Sequence, residues 1–215
     1  MRDIVADPPR GARLLDVTLA AAGLVVLSPV LLVIAILIRL DDGGPVLYRQ
    51  RRIGRGGAAF RIWKFRTMVV DAERRGGALT VAGDARVTRM GARLRRLKLD
   101  ELPQLLNVVA GDMRLVGPRP EVPRYVDEYS DDQRRVLALV PGITDPASLA
   151  FIDEETLLRG VEDPERYYVE HVMPEKIRLN LAYAARATWW NDVRVIAATC
   201  RTLVATRTTA FDAPR

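Results

Sequence analysis

The sequence predicts an α+β chain, mostly helical, with one apolar helix near its N-terminus and a small β-hairpin behind it. Three observations carry this reading. Residues 17–38 hold no charged side chain. Residues 46–65 alternate in polarity around a glycine-rich turn, the mark of a short hairpin. From residue 86 onward, apolar side chains recur at helical spacing in windows separated by proline and glycine.

Composition narrows the chemistry. A chain of 215 residues can form one or two domains with a real core. With 49% apolar and 28% charged residues, it is neither a disordered tail nor a polytopic membrane protein. Lysine and arginine total 33 against 27 acids, a net charge of +6. Such a balance suits phosphate, nucleic acid or anionic lipid, and charge alone does not choose among them. Cys200 and His171 are the only residues of their types, which excludes an intramolecular disulfide and a Cys/His zinc site. Catalysis must then rest on carboxylates, lysine or arginine, and a cytosolic setting for that part fits.

The apolar run of 22 residues matches a hydrocarbon core of ~30 Å at about 1.5 Å per helical residue. It is too long for a signal peptide, and no small-residue cleavage site precedes Arg39. Ser28-Pro29 sits near its middle, where proline removes a backbone donor and kinks a helix. Arg2, Arg10 and Arg13 precede the run; Arg39, Arg49, Arg51, Arg52 and Arg55 follow it. Positive flanks favour the cytoplasmic side. A hairpin-like helix that enters and returns satisfies both flanks, and a kinked single span fits the same residues. The expected division is 1–40 for the N-terminal segment and membrane helix, 41–205 for a cytoplasmic catalytic domain and 206–215 for a tail.

The remaining elements follow in order. Residues 41–45 form a turn, and 46–54 and 59–65 form the two strands. Residues 67–75 read as a helix ending at Gly76-Gly77. Residues 86–98 read as a basic amphipathic helix with Val87, Met90, Leu94 and Leu97 on one face. Residues 102–110 read as another, with Pro103 in its first turn and Gly111 as its C-terminal cap. A helix is expected over 125–139, a turn at Pro141-Gly142, and one or two helices over 164–187 interrupted near Pro174. The window 189–205 places Val193, Ile196, Cys200, Leu203 and Val204 on one stripe that suits a core. Trp189-Trp190, with Arg186 and Arg194 nearby, suits a membrane interface equally well.

Residues 94–120 concentrate the chemistry. Asp100 and Glu101 are adjacent, so they share a site only where the backbone is irregular, as at a helix start. Free backbone N–H groups there favour anions. A phosphate at that point could be attacked by one carboxylate, with Mg²⁺ offsetting charge, since Mg²⁺ favours one or two carboxylates plus substrate phosphates. A helix-capping acid with an arginine partner has the same local sequence. Lys64-Phe65-Arg66-Thr67-Met68 offers two cations for a phosphate or for a salt bridge to Glu101. Gly117-Pro118-Arg119-Pro120 fixes the backbone around one arginine at low entropic cost, which suits a nucleotide phosphate or a rigid turn. Pro141-Gly142-Ile143-Thr144 is a further rigid turn.

Taken together and in this order, Ser28-Pro29 within its apolar helix, 64–68, Leu99-Asp100-Glu101-Leu102-Pro103-Gln104-Leu105, 117–120 and 141–144 resemble the bacterial sugar transferases, the monotopic polyprenyl-phosphate phosphoglycosyl transferases. The likeness covers roughly residues 12–150 and corresponds to the minimal form of the family. It implies transfer of a phospho-sugar from a UDP-sugar to polyprenyl (undecaprenyl) phosphate with release of UMP, beginning lipid-linked glycan synthesis. It implies Mg²⁺ and a covalent intermediate on Asp100, which would also be a metal ligand. Glu101 would assist as base with Lys64 paired to it, and Arg66, Arg95 and Arg119 would bind phosphate or nucleotide. It further implies a re-entrant helix broken at Ser28-Pro29, a catalytic domain on the cytoplasmic face of the bacterial inner membrane, and interfacial amphipathic helices against its lipids.

Two segments depart from the family pattern. Arg114 stands where members often carry Ser, and 145–149 replaces a glycine- and glutamine-containing stretch. Both bear on sugar and phosphate contacts. A catalytically inactive membrane-anchored scaffold of a glycan assembly complex is the alternative, which intact Asp100, Glu101, Lys64 and Arg119 oppose. A nucleic-acid partner is not expected, because no nucleic-acid motif is present. The exposed C-terminal face suits either membrane or a homodimer contact.

Overall fold

The computed structural model describes residues 10–77 and 79–211. Arg2 and the last four residues, part of the expected tail, lie outside them. Helix α1 (Arg10–Asp42) is the longest element. It is followed by strands β1 (Leu47–Ile53) and β2 (Ala59–Phe65), which pair antiparallel with Ile53 opposite Ala59. Gly56 and Gly57 take positive φ at the turn, which is why glycines occupy it.

Helix α1 runs through Ser28-Pro29 without interruption, where the sequence predicted a break. Pro29 has no N–H for the Val25 carbonyl four residues back. The Ser28 hydroxyl takes that place, donating to the Val25 oxygen at 2.7 Å. In an apolar environment an unsatisfied carbonyl costs several kcal/mol, so this bond keeps the helix continuous. One stripe of α1 is buried on the rest of the protein through Asp16, Ala20, Ile34 and Ile38. The others face outward, with Leu14, Val25, Val26, Leu32 and Leu40 all more than 60% exposed. Among the described residues, α1 is the one helix long and apolar enough to cross a membrane.

The middle of the chain corrects the predicted 67–75 helix. Only α2 (Ala72–Arg75) is helical; Met68 pairs instead with Val87 in an antiparallel bridge. Helix α3 (Arg89–Arg96) begins at Thr88, whose hydroxyl accepts from the Gly91 N–H. A Cβ at Gly91 would meet the Thr67 carbonyl oxygen at 2.0 Å, so glycine there lets α3 pack directly on the backbone beyond β2. A 3₁₀ turn (Leu99–Gln104) leads into α4 (Leu105–Ala110), which ends at Gly111 in the left-handed region as expected. The predicted helix over 102–110 is therefore 3₁₀ in its first part.

Strand β3 (Arg114–Val116) pairs parallel with β4 (Gly142–Thr144), so residues 142–144 form a strand rather than only a turn. Between them lie α5 (Pro123–Asp127), α6 (Asp131–Arg134) and a 3₁₀ turn (Arg135–Ala138), where one helix was predicted. Ser130 explains the interruption, because it forms a capping box with Gln133 and starts a new helix. Helices α7 (Pro146–Ala150), α8 (Glu154–Arg159) and α9 (Pro164–Tyr167) follow. A π turn (Tyr168–Val172) joins α9 to α10 (Met173–Ala184), and it ends just before Pro174, the predicted interruption.

The final helix, α11 (Trp189–Phe211), buries Val195, while Val193 and Cys200 are exposed. Of the rest of the predicted stripe, Ile196 is half-buried, and the side chains of Leu203 and Val204 lie outside the described ones. Two hydrophobic clusters bind α1 to the hairpin. Ala20 packs with Ile62, Val108 and Met113; Ile34 and Ile38 pack with Phe65 and Leu94. A third cluster joins α5 to α10 around Tyr125, Leu158, Tyr168 and Ile177.

Candidate active site

Three walls surround a cleft of about 970 Å³. The hairpin supplies the first. Cross-strand partners share a face of a sheet. Tyr48 lies opposite Lys64, and Arg52 opposite Phe60, so Tyr48, Arg52 and Lys64 line the cleft together.

The 3₁₀ turn supplies the second wall. Lys98 takes φ +53°, an uncommon left-handed conformation for a residue with a side chain, and so redirects the chain out of α3. With three residues per turn, successive side chains diverge by about 120°. Asp100 and Glu101 nonetheless both line the cleft, at the irregular junction between α3 and α4. Gln104, one turn after Glu101, lies buried beneath them.

The third wall carries Arg119. The Gly142 N–H donates to the Pro118 carbonyl at 3.0 Å, and the Gly117 N–H to the Thr144 carbonyl at 3.0 Å. A Cβ at Gly142 would lie 2.1 Å from the Gly117 nitrogen, so the contact requires glycine. Two motifs that read separately in the sequence form one joined strand end, and it points Arg119 at Glu101.

Glu101 is the hub. Its Oε1 accepts from Lys64 Nζ at 3.0 Å, and its Oε2 accepts from Arg119 at 2.8 Å. A second Arg119 nitrogen also pairs with Oε1. Burial works against the Glu101 charge, but Arg119 and Lys64 outweigh it and hold the carboxyl well below the usual range. Burial pushes the Lys64 ammonium down, against the pull of Glu101. The Glu101 charge raises Arg119 further above its ordinary value. In this arrangement Glu101 anchors two cations.

Asp100 is the opposite case. It is 5% exposed, and its Oδ1 is buried without a hydrogen-bond partner among the described residues. Burial, and then the Glu101 charge, push its carboxyl upward against Lys64, Arg95 and Lys98. A buried oxygen with no donor is costly, and such exceptions mark functional sites. No group of three or more His, Cys, Asp or Glu side chains suited to a metal occurs among the described residues. A cation at Asp100 would draw most of its ligands from elsewhere.

Arg95 also lines the cleft. One of its terminal nitrogens pairs with Glu155, and its Nε is buried with no partner. Arg66 also lines the cleft, and in this structure its guanidinium is engaged by protein groups. Its guanidinium pairs with both oxygens of Asp42 at the end of α1 and also bonds the Pro45 and Met68 carbonyls. With its nitrogens committed, it fastens α1 to the strand end that carries Lys64.

The sequence reading missed a second cluster on the same cleft. Arg52 donates to Glu121 at 3.2 Å and to the Pro120 carbonyl at 3.0 Å, and the Tyr168 hydroxyl also bonds Glu121. Lys176 pairs with Glu154 at 2.7 Å. Glu121 directly follows Pro120, which was a usable signal; nothing in the spacing of Tyr168 or Lys176 announced them.

Comparisons with known proteins identify the family. The profile described as bacterial sugar transferase matches residues 10–206. A UDP-glucose:undecaprenyl-phosphate glucose-1-phosphate transferase of Caulobacter vibrioides is 39% identical, covering 90% of this chain and 70% of that protein. The UDP-N-acetylgalactosamine-undecaprenyl-phosphate N-acetylgalactosaminephosphotransferase of Aeromonas hydrophila is 35% identical over 88% of this chain, which spans 43% of it. An Escherichia coli UDP-glucose:undecaprenyl-phosphate glucose-1-phosphate transferase is 34% identical over 84% of this chain and 37% of its own length. Spanning nearly the whole helical domain and every wall of the cleft, these matches show that the chain belongs to the bacterial sugar transferase family.

Proposed function

We propose that this protein transfers a phospho-sugar from a UDP-sugar to undecaprenyl phosphate and releases UMP, through a covalent intermediate on Asp100. The observation that carries this reading is the contrast between the two adjacent carboxylates: Glu101 is saturated by cations, and Asp100 Oδ1 is buried, unpartnered and in the cleft.

In the first step an Asp100 oxygen attacks the sugar-linked phosphorus. The bond from that phosphorus to the bridging oxygen breaks, and UMP leaves with the electron pair. In the second step an oxygen of the lipid phosphate attacks the same phosphorus and frees Asp100. Splitting one displacement into two easier ones is the gain of covalent catalysis. Arg119 and Lys64, fixed by Glu101, present positive charge where the transferred phosphoryl group sits. Arg95 has a spare buried donor at the same cleft.

The donor set fits Mg²⁺, which accepts one carboxylate together with substrate phosphates and water. Asp100 would hold it, and the ion would offset diphosphate charge when bound. The same charge would draw the Asp100 carboxyl back toward its ionised form.

Helix α1 supports a membrane setting, with its outward apolar faces matched to lipid. Arginines at both of its ends support a re-entrant path that leaves both ends, and the cleft, on the cytoplasmic face of the inner membrane. The kink that such a path requires would lie at Pro29, with the Ser28 hydroxyl satisfying the freed carbonyl.

The test is UMP release from nanodisc-held protein given Mg²⁺, undecaprenyl phosphate and a panel of UDP-sugars. Release with one donor, absent in Asp100→Asn, is the expected result. Turnover unchanged in Asp100→Asn would overturn the covalent role.

A further inference from the structure

The segment 43–70 contains seven basic residues and no acidic one. Arg55 lies in the turn, and the period of two in the hairpin sorts the strand residues. Arg52 and Lys64 turn to the cleft and meet Glu121 and Glu101, and Arg66 beyond the strand meets Asp42. Arg49, Arg51 and Arg61 lie on the other face, exposed, and none of them forms an ion pair among the described residues. Arg51 sits directly opposite Arg61. Like charges directly across a strand pair are destabilising, so the fold has no use for this arrangement by itself.

The same face is graded along its length. At one end Leu47 lies opposite Phe65, and Phe65 packs on Ile34 and Ile38 of α1. Next, the Arg49 guanidinium stands 4.2 Å from the ring centroid of its cross-strand partner Trp63. Beyond them come Arg51 and Arg61. Polarity thus passes from apolar through aromatic to charged over about 13 Å, starting at the lipid-matched helix. Side chains at a membrane–water boundary follow this order, with aromatic rings at headgroup level and guanidinium groups beyond.

We infer that the outward face of the β1–β2 hairpin is a binding surface for anionic phospholipid headgroups. Arg49, Arg51 and Arg61 hold phosphate oxygens, and Trp63 sits at the boundary. The lipid supplies the negative charge that the cross-strand arginine pair lacks. Each arginine near such a surface contributes about a fivefold preference for anionic over zwitterionic lipid. The inference rests on α1 lying in the bilayer.

The experiment uses the full chain with Trp189→Phe and Trp190→Phe, leaving Trp63 as the sole tryptophan. It is placed in vesicles of phosphatidylcholine with phosphatidylglycerol, one of the two brominated near the headgroup. The expected result is stronger quenching of Trp63 by brominated phosphatidylglycerol than by brominated phosphatidylcholine, with the difference abolished by high salt. Arg49→Gln/Arg51→Gln/Arg61→Gln should erase the preference, and the corresponding triple lysine variant should keep it. Protein that floats with vesicles while Trp63 stays unquenched, or is quenched equally by both lipids, overturns the inference alone. Protein that does not float overturns it together with the membrane reading of α1.

Discussion

Two ion clusters in this protein each centre on an arginine held by carboxylate, and they do opposite things. At the cleft, Lys64, Glu101 and Arg119 form a half-buried triad beside the buried Asp100, whose Oδ1 has no partner among the described residues. About α1, Arg114 bonds Asp16 at 2.8 Å and Asp192 at 3.0 Å, while the Tyr183 hydroxyl bonds the other Asp192 oxygen at 2.6 Å. That second cluster is closed, and it ties α1, β3, α10 and α11 together. The first is left open at one oxygen. A closed cluster holds elements in place; an open one holds a charge ready for something that arrives. The difference lies in the unpaired Asp100 oxygen.

The comparison breaks most sharply at Asp100. Asp100→Asn should lower UMP release by about 10⁴-fold or more, the scale seen when a catalytic nucleophile is removed. It should not lower the melting temperature. Because burial raises the folded pKa of Asp100, its ionisation weighs against the fold. Its stabilising share is present below the unfolded value of 3.8 and is lost as pH rises toward the folded value. Asp100→Asn should therefore match wild type in acid and melt higher near neutral pH. Thermal unfolding across pH reads this directly. Without Mg²⁺, wild-type turnover should also rise with pH as Asp100 ionises.

Glu101 should show the reverse. Glu101→Gln leaves Lys64 and Arg119 half-buried without their counter-charge, and a loss of about 1–3 kcal/mol is expected. Its folded pKa is depressed, so its stabilising share is present above the unfolded value of 4.5 and disappears as pH falls through the folded value. Melting of Glu101→Gln should thus lie well below wild type at neutral pH and converge on it in strong acid. A small, pH-independent change would show the triad to be no anchor.

Arg114→Ser tests the closed cluster. It leaves Asp16 and Asp192 facing each other without a cation, so a loss of about 1–3 kcal/mol is expected. UMP release under conditions where the protein stays folded should remain near wild type. A large drop in turnover at full folding would mean that this cluster also serves the cleft.

The two clusters were not equally legible. The open one could be read from Asp100-Glu101, Lys64 and Arg119, because each sits in a short, charge-dense run, with Pro103 after the carboxylates and Pro118 and Pro120 around Arg119. The hairpin, the 86–98 helix and the Gly111 cap were legible from local periodicity and turn chemistry. The closed cluster was not, since Asp16, Arg114 and Asp192 are joined only by tertiary packing. The β3–β4 pair was missed for a related reason. Strands of three residues give no periodic signal, and parallel pairing over a long separation has no turn to announce it. The 67–75 segment reads as a helix by composition, yet its first residues are drawn into an extended path against α3, where Gly91 admits the Thr67 carbonyl. Long-range contacts overrode local propensity at each of these places.

The smallest expected effect separates the two kinds of cluster at Arg66, which the sequence assigned to phosphate and the structure assigns to Asp42. A phosphate-binding arginine, once replaced, should raise the KM for the UDP-sugar. A fastening arginine should lower stability and leave KM alone. Asp42 has its carboxyl half-exposed while Arg66 is buried, so Arg66→Gln gives up a charge-assisted pair without stranding a fully buried partner. A loss of about 1–3 kcal/mol is the expected scale. Lys64 lies two residues before Arg66 on the same strand end, so loosening α1 from that end should also lower kcat by a few-fold. Asp42→Asn breaks the same pair from the other side, at a residue outside the cleft. If Arg66 is a fastener, both variants should shift melting and kcat alike, with donor KM unchanged. If only Arg66→Gln raises KM, its guanidinium leaves Asp42 for the substrate, and the pair belongs with the open cluster after all.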